Sequence, residues 1–137
     1  MYEQEVLFVE KTESLLGLWG KQLEGELVPH RASSLAKFYE LFEKLKSSLS
    51  LIAFGNAFMN GQPVENAIGY ARTQGCTCRI FVCTSDSEAR ERQLQAGGEN
   101  TFAVEKPMLA ERIRAVLSLK PNPASVLSET FGLVDPP

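Results

Sequence analysis

The sequence predicts an α/β domain built on a doubly wound, five-stranded parallel sheet with five helices. Four short, continuous apolar runs are bounded by polar or small residues, which is typical of strands buried on both faces. These runs are residues 6–9, 51–54, 80–83 and 102–104. Amphipathic helical patterns separate them, and this alternation of strands and helices favours a parallel sheet with right-handed crossovers.

A fifth strand is predicted at residues 26–31, although it contains Pro29. Proline has no backbone N–H to donate, so a strand tolerates it at a sheet edge or at the strand start. We therefore expect this segment to be an edge strand. That position fits the order 2-1-3-4-5, which is common in five-stranded sheets of this kind.

Four of the five predicted helices carry an apolar face. In the first two helices, the apolar positions are Leu15, Leu16, Trp19 and Leu23, then Leu35, Phe38, Tyr39, Phe42 and Leu45. In the third and fifth, they are Val64, Ala67, Ile68 and Ala71, then Leu109, Ile113, Val116 and Leu117. The fourth helix, residues 88–96, is more polar, and Asp86 and Ser87 are its candidate caps.

The length and composition are those of one globular domain. The chain has 137 residues, of which 44% are hydrophobic and 23% charged, and a chain of this size forms a core without disulfides or metals. We expect a domain at residues 1–120 and a proline-containing tail at 121–137, either docked as a short helix or serving as a linker. A signal peptide and a membrane-spanning apolar run are both missing, so the predicted location is the cytoplasm.

Several function classes are disfavoured by the residues themselves. The net charge of −3 and the lack of a basic stripe argue against binding nucleic acid. Cys76, Cys78 and Cys83 have no second ligand pair nearby, so no metal site is expected, and Cys83 is predicted to be a small buried hydrophobe. His30 has no catalytic partner, and no nucleophile triad or phosphate loop is present, so we expect neither enzymatic activity nor a cofactor.

Any ligand site in such a sheet is expected beyond the carboxyl ends of the strands. Glu10 and Lys11 follow the first strand, and Gly55 and Asn56 follow the third. Thr84 follows the fourth strand, and the pair Lys106-Pro107 follows the fifth.

Over residues 4–118, these strand ends resemble those of the receiver domains of two-component response regulators. In that family an acidic pair ends strand one, a phosphoacceptor aspartate ends strand three, Thr or Ser ends strand four and Lys-Pro ends strand five. The present chain keeps Thr84 and Lys106-Pro107. The resemblance implies a flavodoxin-like fold and a role in signal transduction or a phosphorelay through protein–protein binding.

The chain departs from the family where the phosphorylation chemistry is concentrated. Glu10-Lys11 replaces the acidic pair, and a lysine there disfavours Mg²⁺, which prefers anionic oxygen ligands. Counting back from the segment at residues 59–61 places the acceptor at Ala53, whereas the polar end of the strand places it at Gly55 or Asn56. None of the three offers the carboxylate that an acyl phosphate requires.

We therefore expect a pseudo-receiver that binds a protein partner, or a second copy of itself, without phosphorylation. One alternative is an anion or small-ligand sensor that uses Lys11, Asn56, Thr84 and Lys106. Another is a phosphorelay receiver with a displaced acceptor, for which Glu65 and Asp86 are the nearest downstream carboxylates.

The resemblance also implies an interaction face made of the fourth helix, the fifth strand and the fifth helix. Its candidate contacts are Arg90, Arg92, Gln95, Phe102, Arg112 and Arg114. Similar receivers carry a switch aromatic three residues before the strand-five lysine. Here that position is Ala103, with Phe102 one residue earlier. Either the strand is shifted by one residue or the aromatic switch is lost, and without that aromatic a phosphorylation-driven switch has no evident moving part.

Overall fold

The strands and helices of the computed structural model alternate along residues 4–119, the part of the chain that it describes. In chain order they are β1 (Glu5–Val9), α1 (Glu13–Gln22), β2 (Val28–Ala32), α2 (Leu35–Leu45), β3 (Leu49–Phe54), β4 (Phe58–Met59), β5 (Gln62–Pro63), α3 (Val64–Thr73), β6 (Arg79–Val82), α4 (Ser87–Gly97), β7 (Thr101–Ala103) and α5 (Leu109–Leu117). A 3-10 turn at Lys106–Met108 precedes α5, with Pro107 in it. The predicted tail lies outside the described residues.

Five of these strands form one parallel sheet in the order β2-β1-β3-β6-β7. With the strands of this sheet numbered along the chain, the order is 2-1-3-4-5, so the predicted topology is confirmed. β2 lies at an edge of the sheet, as expected of a strand that contains Pro29. No helix within residues 4–119 is long and apolar enough to span a membrane.

Each face of the sheet is covered by a separate apolar cluster. One cluster packs α2 and α3 against side chains such as Leu7, Ile52 and Val82. The other packs α1 and α5 against the alternate residues, including Phe8 and Phe81. Because successive side chains of a strand point to opposite faces, burial on both faces explains why the strands are continuous apolar runs.

A two-stranded hairpin, β4–β5, follows β3 and was not predicted. Its turn is Asn60-Gly61, and both residues have left-handed backbones, with φ of 53° and 74°. Asn-Gly is the preferred pair for a two-residue hairpin turn of this kind. The sequence analysis used this segment only to count back to Ala53, so it overlooked the strongest local signal for a hairpin.

Asp86 caps α4, as predicted. One oxygen of its carboxylate accepts hydrogen bonds from the backbone amides of Glu88 and Ala89, both at 3.0 Å. Ser87 is the first residue of the helix rather than its cap. Cys83 is buried, as expected, and burial raises the pKa of its thiol to about 12.

Arg114 holds the last helix against the loop between α1 and β2. Its guanidinium contacts both oxygens of Glu26, at 2.8 and 3.0 Å, and donates to the carbonyl of Gln22 at 2.6 Å. The Glu26 side chain is fully buried. Arg114 was predicted to contact a partner, and that prediction is wrong, because its side chain is engaged inside the domain.

Candidate functional site

The predicted strand-end residues come together at one edge of the sheet. Parallel strands place their carboxyl ends on the same side. Glu10 directly follows β1, Gly55 and Asn56 follow β3, Thr84 lies two residues past β6, and Lys106 lies three residues past β7.

Glu10 is the centre of this site. Its side chain is fully buried, and the Lys106 ammonium lies 2.8 Å from its Oε1. Its Oε2 accepts hydrogen bonds from the Thr12 amide at 2.9 Å and from the side-chain amide of Asn56 at 3.0 Å. Burial alone would raise the pKa of Glu10, but the Lys106, Thr12 and Asn56 donors outweigh it and lower the pKa. The carboxylate is therefore ionised, and both its oxygens have partners.

Asn56 connects three elements. Its Nδ2 donates to Glu10, its Oδ1 accepts from the Lys11 amide at 2.8 Å, and its carbonyl accepts from the Gln93 side chain at 2.9 Å. Gln93, which is fully buried on α4, was not among the site residues predicted from the sequence. The signal was its spacing, since the buried positions of α4 are Ala89, Gln93 and Gly97, and a polar side chain in such a stripe needs a partner.

Gly55 stands beside the Glu10 carboxylate. Val9 pairs with Phe54, and the Gly55 amide donates to the Val9 carbonyl at 2.8 Å, so residue 55 is next to residue 10 across the sheet. A Cβ added at Gly55 would lie only 2.1 Å from Glu10 Oε1. The carboxylate therefore occupies the space that a side chain at position 55 would need.

Ala53, another candidate for the acceptor position, lies inside the sheet. It pairs with Phe8 and Phe81, and its side chain belongs to the apolar cluster under α1 and α5. A side chain at position 53 therefore points into the core and not toward the strand ends. The register of the sheet leaves Gly55 as the residue opposite Glu10.

Thr84 and Lys11 lie at the border of the site. Thr84 is nearly buried, and its hydroxyl accepts from the Asp86 amide at 3.2 Å. Lys11 is exposed. A cleft of about 560 Å³ opens beside Thr84, and its lining also includes Ser85, Arg90, Glu105 and Lys106.

Comparison with known proteins rests on structure alone, because no protein-family model and no curated protein matches the chain. A receiver domain of an HD domain-containing protein from Pseudomonas fluorescens Pf-5 superposes with a TM-score of 0.71 at 14% identity, over 86% of this chain and 89% of its own. A response regulator receiver domain from Clostridium thermocellum gives 0.69 at 14% identity, over 84% and 94%.

A third similar structure is a Burkholderia pseudomallei response regulator with a phosphorylated aspartic acid, a calcium ion and citrate. It gives a TM-score of 0.68 at 18% identity, over 98% of this chain and 76% of its own. The chain has the receiver-domain fold. At these identities the likeness establishes the fold only, so the chemistry has to be judged from the residues present.

The residues at the strand ends do not fit the magnesium site that receiver chemistry implies. Mg²⁺ needs several oxygen ligands in octahedral array. Oε1 of Glu10 contacts the Lys106 ammonium, and its Oε2 accepts hydrogen bonds from two N–H groups, so both oxygens are already engaged. Among residues 4–119 no group of three or more His, Cys, Asp and Glu could hold a metal ion. The cationic group that contacts the Glu10 carboxylate is the Lys106 ammonium.

The residues of the predicted interaction face lie in different surroundings. Phe102 is 47% exposed, and the Arg79 guanidinium lies 5.9 Å from the centre of its ring. Phe102 and Arg112 border a shallow cleft of about 240 Å³. Arg92 pairs with Glu65 on α3 at 2.7 Å. Gln95 is exposed on α4, and Arg90 lines the larger cleft near Thr84.

Proposed function

We propose that the chain is a pseudo-receiver, a signalling module that binds a protein partner without being phosphorylated. One observation carries the proposal: the Glu10 carboxylate, paired with Lys106, fills the space where an acceptor side chain at position 55 would stand. Phosphorylation needs a carboxylate nucleophile at that position, and glycine has none.

The ion pair also supports a single resting conformation. Lys106 follows β7 and Glu10 follows β1, so their 2.8 Å contact joins the two sides of the site directly. Asn56 adds hydrogen bonds to Glu10 and Gln93, which tie β3 and α4 to the same group. Glu10 and both ends of the Asn56 side chain have partners, although Oε1 of Gln93 is buried without one. Hydrogen bonds in a low-dielectric interior strengthen one another, and this supports constitutive binding.

The binding surface that we infer is centred on Phe102. An exposed aromatic side chain beside Arg79 and Arg112 combines an apolar centre with cationic neighbours, which is the composition of many protein-binding hot spots. The partner is a protein with a complementary acidic rim, or a second copy of the chain. We do not assign an enzymatic activity to the domain.

The test is incubation of the full chain with acetyl phosphate and Mg²⁺, followed by intact-mass spectrometry. We expect no phosphate on the wild-type protein. Phosphate on any Asp or Glu of the wild-type chain would overturn the pseudo-receiver proposal.

A rebuilt site sharpens the test. The triple variant Glu10→Asp, Lys11→Asp, Gly55→Asp shortens the blocking carboxylate, restores an acidic pair and supplies a nucleophile, so it should accept phosphate. The matched control replaces Gly55→Asp by Ala53→Asp, which adds the same charge inside the core. Phosphate on the first variant and not on the second would locate the missing acceptor at position 55.

The wild-type assay also tests the displaced-acceptor alternative. Glu65 is paired with Arg92, and the Asp86 carboxylate caps α4. Neither contributes to the network around Glu10. We therefore expect no phosphate on either residue.

A second candidate function, binding of an anion, is favoured by the cleft beside Thr84. Of the four residues predicted for an anion pocket, Thr84 and Lys106 line this cleft, whereas Lys11 and Asn56 do not. Ser85 and Arg90 complete its lining with a donor set that suits phosphate or a carboxylate. A thermal-shift screen with phosphate, sulfate and nucleotides tests it. A ligand at a hundred times its Kd adds about 2.7 kcal/mol, and Arg90→Ala should abolish the shift. No shift with any anion would exclude this function.

A further inference from the structure

We propose that Cys76 and Cys78 form a redox-active dithiol that is oxidised by a low-molecular-weight disulfide and thereby loosens the corner between α4 and β7. This reaction lies outside the strand-end site and does not depend on the proposed function. Both thiols lie in the short loop between α3 and β6, and their Sγ atoms are 2.9 Å apart.

The two thiols differ in their surroundings. Cys76 is 6% exposed and borders a cleft of about 390 Å³ together with Gly97, Glu99 and Asn100, from which a small reagent would reach it. Cys78 is partly exposed, and its Sγ lies within hydrogen-bonding distance of that of Cys76. In the proposed order, Cys76 attacks and Cys78 resolves.

The acidity of the two thiols supports this order. The hydrogen bond between them lowers the pKa of Cys76 to about 6, with help from the nearby Arg72 guanidinium and against the effect of burial. The same contact, together with burial, raises the pKa of Cys78. Since the thiolate is the nucleophile in exchange reactions, Cys76 is ready to react at neutral pH.

The reaction proceeds in two exchanges. The Cys76 thiolate attacks one sulfur of the small disulfide, whose S–S bond breaks and releases a first thiolate. Cys78 then gives its proton to the released thiolate and its sulfur attacks the Cys76 sulfur, which releases the second thiolate, and this takes a proton from water. The protein dithiol gives up two electrons and forms the Cys76–Cys78 bond, while the small disulfide is reduced to two thiols.

Arg72 connects this dithiol to the corner between α4 and β7. Its guanidinium donates to the carbonyls of Cys76 and Cys78 at 3.0 and 2.6 Å. It also donates to the carbonyl of Gly97 at 2.8 Å and to that of Asn100 at 3.1 Å. Forming the bond draws the two Sγ atoms from 2.9 Å to about 2.05 Å. Because Arg72 holds the carbonyls of both cysteines, we expect this movement to weaken its hydrogen bonds.

The experiment is oxidation of the full chain with an excess of oxidised glutathione, followed by trypsin digestion and mass spectrometry. Cleavage after Arg72 and Arg79 leaves both thiols in the peptide 73–79, whereas Cys83 falls in the peptide 80–90. We expect the first peptide to lose the mass of two hydrogens and to regain it with dithiothreitol. Cys83, whose burial raises its pKa to about 12, should stay reduced.

Two variants test the order of attack. Cys78→Ser should trap one glutathionyl group on Cys76, because no resolving thiol is left. Cys76→Ser should react at least about tenfold more slowly. A persistently reduced 73–79 peptide in the wild-type chain, or faster trapping in Cys76→Ser than in Cys78→Ser, would overturn the dithiol.

Hydrogen exchange tests the coupling. Amides in residues 97–101 should exchange faster in the oxidised protein than in the reduced one, while those of β1 and β2 should not change. Equal exchange in residues 97–101 in both states would show that oxidation does not reach the corner, and would overturn that part of the proposal.

Discussion

The two sides of the strand-end site match the receiver pattern unequally. The β6–β7 side has the matching residues Thr84 and Lys106, whereas the β1–β3 side has Lys11 at one acidic position of the pattern and Gly55 or Asn56 at the acceptor position. Yet Lys106 makes its contact across the site, with the buried carboxylate of Glu10. A residue that matches the receiver pattern can thus be engaged in a structural ion pair, so its presence in the sequence is no evidence for phosphorylation chemistry.

The largest effect should come from Lys106→Met, which removes the ammonium and leaves the buried Glu10 carboxylate without its charge partner. Losing one member of a buried ion pair costs about 3 kcal/mol of unfolding free energy. Urea unfolding measures this loss. Lys37→Met breaks the exposed pair with Glu40 and should change stability little. Equal losses of stability in the two variants would mean that the Glu10–Lys106 pair stabilises the fold no more than an exposed ion pair does.

The pH dependence of stability distinguishes the loss of the charge partner in Lys106→Met from a loss of side-chain packing. In the wild-type protein the pKa of Glu10 is lowered below its ordinary 4.5, so Glu10 contributes stability above that pH and loses it as the pH falls through the lowered pKa. Without the ammonium, burial raises that pKa. The defect of Lys106→Met should therefore shrink as the pH falls toward 4.5. A defect of constant size would indicate packing.

An intermediate effect is expected on the β1–β3 side, where Gly55→Ala forces the Glu10 carboxylate to move. Overpacking of this kind costs about 2 kcal/mol. Introducing the same change in a Glu10→Ala background should cost much less, because the obstructing oxygen is gone. Thermal or urea unfolding of the four proteins gives the coupling. Gly17→Ala is the matched control, since an added Cβ there has nothing within 4 Å; additive effects at positions 10 and 55 would contradict the steric account.

The smallest effect should come from Thr84→Val on the β6–β7 side. The Thr84 hydroxyl accepts one hydrogen bond, from the Asp86 amide at 3.2 Å. Its loss should cost no more than about 1 kcal/mol, measured by the same unfolding experiment. A loss of stability as large as that of Lys106→Met would contradict the expected difference between the Thr84 hydrogen bond and the Glu10–Lys106 ion pair.

The sequence predicted the main sheet because its local and long-range signals agree. Continuous apolar runs marked the buried strands, and Pro29 marked the edge. The hairpin at Asn60-Gly61 was missed because β4 and β5 have two residues each and show no alternating pattern. The Asn60-Gly61 turn signal was instead interpreted as part of a motif of the receiver family. Counting back from that motif placed the acceptor at Ala53.

The site was predicted at the level of residues but not of contacts. Glu10, Asn56 and Lys106 were all named as strand-end residues, yet Glu10 and Lys106 are far apart in sequence, and their pairing depends on the strand register and on side-chain direction. Arg114 was misplaced for the same reason. A cationic residue on a helix can face solvent or a buried carboxylate, and only the packing of the loop before β2 decides which.

The contact between Arg114 and Glu26 bears on how the chain folds as it is synthesised. The two residues are separated by 88 positions, so the ribosome makes the carboxylate long before it makes its guanidinium partner. Until α5 emerges, burying Glu26 would leave a charge uncompensated, which is strongly unfavourable. The loop between α1 and β2 should therefore stay solvated on the nascent chain, and the domain should close only when its last helix has left the exit tunnel.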